Sequence, residues 1–209
     1  MAEPVAIAIM AKAPIPGAAK TRLIPALGAE GAAALASQFI ERTCRIACEA
    51  AIGPVTLWCA PDETHPHFVA MKQRLDLALA VQPDGDLGAR MHAAVAANGL
   101  VLVIGTDCPA LTADHLRQAA DALRVHDAVA IPTEDGGYFL IGLRRPQPTL
   151  FSGMTWSVPG VMEETRSRLR ALELSWRELE TLWDVDTPED LERMKRESSR
   201  RQTTPRATA

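Results

Sequence analysis

Apolar residues along the chain fall into short runs separated by amphipathic stretches of helical period. The strongest run is Leu100–Ile104, five consecutive apolar residues followed by Gly105-Thr106-Asp107-Cys108-Pro109. A run apolar at every position reads as a strand buried on both faces, the signature of a central parallel strand. Val5–Met10 and Val55–Ala60 read the same way, Leu77–Val81 and Ala128–Ile131 add two more, and Tyr138–Leu143 follows a Glu134-Asp135-Gly136-Gly137 turn. That last connection is too short for a parallel crossover, so Tyr138–Leu143 is expected to run antiparallel. A further strand is expected around Trp176–Leu182.

Between the strands lie the helices. Ala29–Ala51 carries Leu35, Phe39, Ile46 and Ala50 on roughly one face and stops at Gly53-Pro54. Residues 62–75 give a helix starting near Thr64 with Pro66 in its first turn, and Asp86–Asn98 gives one that ends at Gly99. Residues 113–124 follow a Thr112 cap with Asp114 in the first turn, and Val158–Leu172 is the next helix. In the last, Thr187 is the N-cap, Pro188 the first helical residue and Asp190 the acidic partner of a box-like cap. Alternating strands and helices predict a three-layer α/β/α domain around a mostly parallel sheet of about seven strands. The expected organisation is a single domain over residues 1–197 and a basic, disordered tail over 198–209.

Charge and composition narrow the function. A net charge of −4 argues against neutralising the phosphates of a nucleic acid. No apolar run approaches the ~20 residues of a membrane span, and no basic segment followed by a long apolar one opens the chain, so the cytoplasm is expected. The four cysteines form no Cys-x-x-Cys pair, and Cys44 and Cys48 share a helix face, which favours core packing. His65 and His67 flank Pro66 as at a surface helix start. A Walker loop is excluded by Pro14 and Ala19 where glycines are needed, and no G-x-G-x-x-G follows a strand. Neither a Gly-x-Ser-x-Gly nor a His-Glu-x-x-His sequence is present.

Three candidate constellations remain. Lys12, Lys20 and Arg22 crowd the Pro- and Gly-containing segment after the first strand, a place suited to phosphate, although a solvated basic loop would look the same. Asp107 lies just past a central strand, where open α/β sheets bind ligands. With Asp184 or Asp186 it can form a site for a hard cation such as Mg2+, although turn and helix-start chemistry also places aspartates there. Asp84-Gly85-Asp86 and Asp135-Gly136-Gly137-Tyr138 are turns; the paired glycines permit close approach of a ligand and Tyr138 can stack or hydrogen-bond.

Taken in order, Lys12–Leu23, Gly85–Met91, Gly105–Pro109, Glu134–Leu143, Trp156-Ser157 and Asp184–Pro188 resemble the GT-A-type glycosyltransferases also called radical-SAM/selenodomain-associated transferases, over about residues 5–195. Ala19–Leu23 and the Asp-x-Asp-Thr-Pro-Glu-Asp-Leu ending also resemble phospholactate guanylyltransferases. Ile131-Pro132-Thr133 departs from the Gly-Pro-Ala more usual in the first group. The resemblance implies a nucleotide-diphospho-sugar transferase (GT-A-like) fold with one antiparallel strand. It implies a nucleotide against Ala11, Lys12, Gly17, Lys20, Arg22, Asp86 and Gly88, with Lys20, Arg22 and Asp107 as catalytic residues. It further implies Mg2+ (or Mn2+) on Asp107 with Asp186, slightly favoured over Asp184, and an acceptor against Asp135, Gly136, Gly137, Tyr138 and Trp156. The expected activity is glycosyl transfer from a nucleotide-sugar to a small-molecule acceptor. Nucleotidyl transfer releasing pyrophosphate and non-catalytic nucleotide binding are the alternatives. Neither a nucleic-acid nor a membrane partner is expected, and the motifs do not speak to oligomeric state.

Overall fold

A computed structural model describes residues 3–203. Seven strands form one sheet: β1 (Ala6–Lys12), β2 (Val55–Ala60), β3 (Ala78–Val81), β4 (Val101–Ile104), β5 (Ala128–Pro132), β6 (Tyr138–Leu143) and β7 (Trp176–Glu178), in the order β3-β2-β1-β4-β6-β5-β7. β6 pairs antiparallel with both β4 and β5, and the other pairings are parallel. The fully apolar runs are the strands buried on both faces: every residue of β4 and β5 is buried. Beyond β7, the expected strand to Leu182 survives only as an isolated bridge between Leu182 and Thr133.

Period-two alternation on β1 sorts the two layers. Ile7, Ile9 and Ala11 face one side, where Ile40, Cys44 and Ala47 of α1 (Ile24–Ala50), Phe68 and Met71 of α2 (Pro66–Arg74), and Leu116 and Leu123 of α4 (Ala113–Val125) close the core. Ala6 and Ala8 face the other, against Met91 and Val95 of α3 (Leu87–Asn98), Leu150 and Phe151 of α5 (Pro148–Phe151), and Met162 and Leu169 of α6 (Val161–Ala171). A third, smaller cluster of Leu23, Phe39, Trp183, Val185 and Leu191 holds α7 (Pro188–Thr203) against the start of α1.

Local chemistry sets the helix ends. Thr112 and His115 form a reciprocal capping box on α4, Asp86 caps α3 through the Ala89 N–H at 2.8 Å, and Gly99 ends α3 at φ 71°. Asp190 accepts from the Thr187 N–H and hydroxyl at 2.8 and 2.7 Å, the box expected there. α1 begins before the expected Ala29, because a turn from Ile24 leads into it across Gly28, whose φ of 72° and ψ of 167° break the helix. α6 starts three residues late, since Gly160 at φ 103° ends the preceding loop, and the short α5 was not foreseen. α7 runs past Glu197 to Thr203; the rest of the expected tail, 204–209, lies outside the described residues.

Although no unbroken apolar run of that length is present, the helix over Thr21–Ala50 is by length and composition apolar enough to cross a bilayer, its most apolar 18-residue window having a mean hydropathy of 1.3. Its apolar stripe is, however, part of the core against the sheet. Cys44 and Cys59 are buried free thiols, pushed up to about 12 by that burial, as packing residues are. His65 caps α2 by accepting from the His67 N–H.

At the centre of β6, a Cβ on Gly142 would come within 2.6 Å of Val129 and 2.7 Å of Leu102. Gly142→Ala is therefore expected to cost about 1–3 kcal/mol by overpacking, read from chemical denaturation midpoints; an unchanged midpoint would show that the Val129 and Leu102 side chains yield there.

Candidate functional site

The carboxyl ends of β1 and β4 open onto one cleft, and the loop after β1 is tied across it. Lys20 sits in left-handed backbone (φ 44°), with its side chain only 5% exposed. Its Nζ lies 3.0 Å from Asp107 Oδ2, donates to the Val185 carbonyl at 2.6 Å and stands 5.3 Å from the centre of the Phe39 ring. The Val185 N–H in turn donates to the Asp107 carbonyl at 3.0 Å. Three segments distant in sequence thus meet at one ammonium group. Next to it Arg22 pairs with Asp186, and the Thr106 hydroxyl donates to Asp107 Oδ1 at 2.9 Å. The turn after β4 is fixed from behind by Thr43, whose hydroxyl donates to the Thr106 carbonyl, and by Arg42, which donates to the carbonyls of Cys108 and Leu111.

The cleft has two contiguous lobes that share Met10, Leu87, Gly105, Thr106, Asp107 and Ser157. The larger, about 600 Å3, is walled by Lys12, Lys20 and Arg22, with Asp186 beside them. The smaller, about 230 Å3, is walled by Asp107, Asp135 and Asp184 together with Met91, Tyr138, Trp156 and Val158. In this lobe Asp184 is pushed up to about 6, first by burial and then by the neighbouring charges of Asp135, Asp107 and Asp186. Asp135 is held by its own turn: its Oδ1 accepts from the Thr133 hydroxyl at 2.6 Å and the Gly137 N–H at 3.0 Å.

Against the expected site, the structure gathers Lys12, Lys20, Arg22, Asp107 and Asp186 at the larger lobe, and Asp107, Asp135, Gly137, Tyr138, Trp156 and Asp184 at the smaller. Several residues fall elsewhere. Ala11 is buried in β1, and Gly17 provides a φ of 81° in the loop. Asp86 has its carboxylate on the α3 cap. Gly88 is a close-packing glycine, since a Cβ there would reach 2.7 Å from the Phe151 carbonyl and 2.9 Å from the Trp156 ring. Gly136 adopts φ 89° and accepts from the Met162 N–H, which anchors α6 to the turn. Tyr138 presents its ring to the cavity, but its hydroxyl lies against Met91 Sδ and burial pushes its pKa up. Thr106, Thr133, Ser157 and Met91 line the lobes without having been singled out. Thr106 lay inside the Gly-Thr-Asp run, Ser157 beside Trp156 and Met91 at the end of the Gly85–Met91 stretch, but none of them was given a role.

A divalent cation is tested by these donors. Among the described residues no three His, Cys, Asp or Glu side chains converge on one point. Asp107 and Asp184, however, face one lobe and repel each other, and hard oxygen donors in that number suit a cation whose shell is completed by phosphates. Asp186 is engaged by Arg22 as Asp107 is by Lys20, so its ion pair does not decide between it and Asp184.

The architecture is that of the nucleotide-diphospho-sugar transferases. A protein of Desulfovibrio desulfuricans G20 described as a nucleotide-diphospho-sugar transferase superposes with a TM-score of 0.84 at 26% identity, covering 98% of this chain and 91% of its own. A nucleotidyl transferase from Methanothermobacter thermautotroptrophicus gives 0.64 at 14% identity over 96% of this chain and 100% of its own. Glucosyl-3-phosphoglycerate synthase from Mycobacterium tuberculosis, solved with Mn2+, UDP and glucosyl-3-phosphoglycerate, gives 0.52 at 10% identity over 92% of this chain and 76% of its own. No curated protein matches the sequence. The chain belongs to the family described as uncharacterized proteins conserved in bacteria, DUF2064, whose profile matches residues 43–158. An enzyme of the transferase class is what the sequence led us to expect, and these structural neighbours agree with it.

The Asp184 environment has a measurable consequence. A carboxyl raised from 3.8 to about 6 binds more protons in the native than in the unfolded state between those values, so it makes stability fall as pH rises through that window. Asp184→Asn should remove this slope, gaining stability over the wild type at about pH 7 and almost none at about pH 4. Urea titrations at both pH values check it, and equal effects at the two would contradict it.

Proposed function

We propose that the chain is a divalent-metal-dependent transferase that takes a nucleotide-sugar along its cationic lobe and hands the sugar to a small acceptor in the acidic, apolar one. The observation that carries the reading is the charge division of a single cleft, Lys12, Lys20 and Arg22 on one side of Asp107 and carboxylates on the other. A diphosphate needs cations where its negative charge grows as it departs. Asp107 and Asp184 would hold the metal, which when bound would neutralise that departing charge. In glycosyl transfer the acceptor heteroatom bonds to the sugar carbon, the bond from that carbon to the diphosphate oxygen breaks, and the nucleoside diphosphate leaves with the electron pair. The acceptor's proton passes to a base; Asp135 is the carboxylate of that wall with no metal to hold. Further, we place the chain with the radical-SAM/selenodomain-associated transferases, as a cytoplasmic single-domain protein over residues 1–197, on the six motifs quoted above.

Nucleotidyl transfer is the second reading, supported by the Lys20-Thr21-Arg22-Leu23 segment, by paired cations that suit a pyrophosphate leaving group, and by the likeness to the Methanothermobacter protein. Incubation with Mg2+ and a panel of nucleotide-sugars, and separately of nucleoside triphosphates, decides between them. Nucleoside diphosphate released only from the sugars supports glycosyl transfer. Acceptor-dependent pyrophosphate without sugar-donor turnover contradicts it, and binding without turnover of either would leave a nucleotide-binding protein.

Arg22 can offer a planar, bidentate fork to a phosphate, which lysine cannot reproduce. Arg22→Lys should weaken nucleotide affinity by about 1–2 kcal/mol in calorimetry. A loss no greater than that from neutralising Lys195 on α7 would make Arg22 an ordinary surface cation.

A further inference from the structure

The smaller lobe restricts what the second substrate can be. It contains three carboxylates, from Asp107, Asp135 and Asp184, and neither lysine, arginine nor histidine lines it. Three of its hydrogen-bond donors are already turned to those carboxylates. The Thr106 hydroxyl donates to Asp107, while the Thr133 hydroxyl and the Gly137 N–H both donate to Asp135. The Tyr138 hydroxyl lies against Met91 Sδ, which leaves the Ser157 hydroxyl and the Trp156 indole N–H, buried without a partner, as the side-chain donors on the wall. The cations of the cleft all stand in the other lobe, where Lys20 and Arg22 are themselves paired with Asp107 and Asp186. The rest of the wall is apolar or aromatic, with Met91, Val103, Phe139, Trp156, Val158 and Val161.

We propose that the acceptor is a small molecule with an apolar or aromatic face and an uncharged or cationic polar head, and that acceptors bearing a carboxylate or phosphate are rejected. This rests on the transferase reading above for its choice of lobe. An anionic head would enter beside three carboxylates with only the neutral donors of Ser157 and Trp156 to meet it, and such juxtapositions select against a ligand. Lys20 already balances Asp107, so a divalent cation on Asp107 and Asp184 would offset this charge, and the selection is expressed most strongly in the metal-free cleft. An ammonium or hydroxyl head instead donates to Asp135 while the apolar body lies on Met91 and Trp156. A volume of about 230 Å3 confines that body to about the size of one ring with a short arm.

The test uses three probes of matched shape, phenethylamine, phenethyl alcohol and hydrocinnamate, titrated against the full chain by saturation-transfer NMR, with UDP and Mg2+ titrated separately. The amine should bind at least about tenfold more tightly than the carboxylate, with the alcohol between them. Asp135→Asn, which keeps the shape and the acceptor oxygen of the turn, should shrink that ratio to within a fewfold. Asp184→Asn is a second variant with the same expectation, and near-UV circular dichroism confirms that each is folded. Hydrocinnamate binding as tightly as the amine, or no probe binding at millimolar concentration, overturns the assignment even if UDP binds. An amine preference that persists without UDP binding supports the ligand class of the lobe and overturns the nucleotide reading instead.

Discussion

An ammonium group taken out of water must be compensated where it lies, and the site of this protein is arranged around one such group. Lys20 is almost fully covered, and the charge that balances it belongs to Asp107 at the end of β4. The Val185 carbonyl completes its shell from the segment that leads into α7. The loop's own backbone hydrogen bonds and the buried Ala13, Ala19 and Leu23 shape it, and the Lys20 contacts tie it to β4 and to the approach to α7. Through this contact and the small cluster of Leu23, Phe39, Trp183 and Val185, residues near both ends of the chain are brought to the rim of the central strands. The pairing makes Asp107 a structural partner as well as a candidate metal ligand, so its neutralisation affects the fold together with the site.

From that point the cleft divides by charge. On one side the side chains of Lys12 and Arg22 stay near solvent, where long cationic side chains can follow a phosphate chain. On the other, burial and then the neighbouring carboxylates push the pKa of Asp184 up, and among the described residues no lysine, arginine or histidine lines the lobe. Asp107 belongs to both lobes and joins them.

Most of the architecture was legible because it is written in local pattern. Fully apolar runs gave strands buried on both faces, and the short Glu134–Gly137 connection gave the antiparallel β6. Thr112, Gly99 and the Thr187–Asp190 box marked helix ends through hydrogen bonds to nearby backbone. What was not legible depends on packing between distant segments. Gly88 looked like a ligand-facing glycine because a small residue that meets a phosphate and one that meets an indole read alike; only Phe151 and Trp156 distinguish them. Asp86, by contrast, caps α3 through a local hydrogen bond from the Ala89 N–H. The pairing of Lys20 with Asp107, 87 positions apart in the sequence, has no local signature, and neither does the engagement of Asp186 by Arg22. Residue type identified the chemistry, and tertiary contact decided which partner each group received.

A double-mutant cycle on Lys20 and Asp107, read as unfolding free energy without nucleotide or metal, tests this arrangement most directly. Lys20→Met and Asp107→Asn each remove one charge and leave the other without its partner, whereas the double variant leaves neither. The account predicts that the double variant loses about 1–3 kcal/mol less than the sum of the single losses. Additive losses would mean that the two residues merely lie close together and that the cleft is not organised around their pairing.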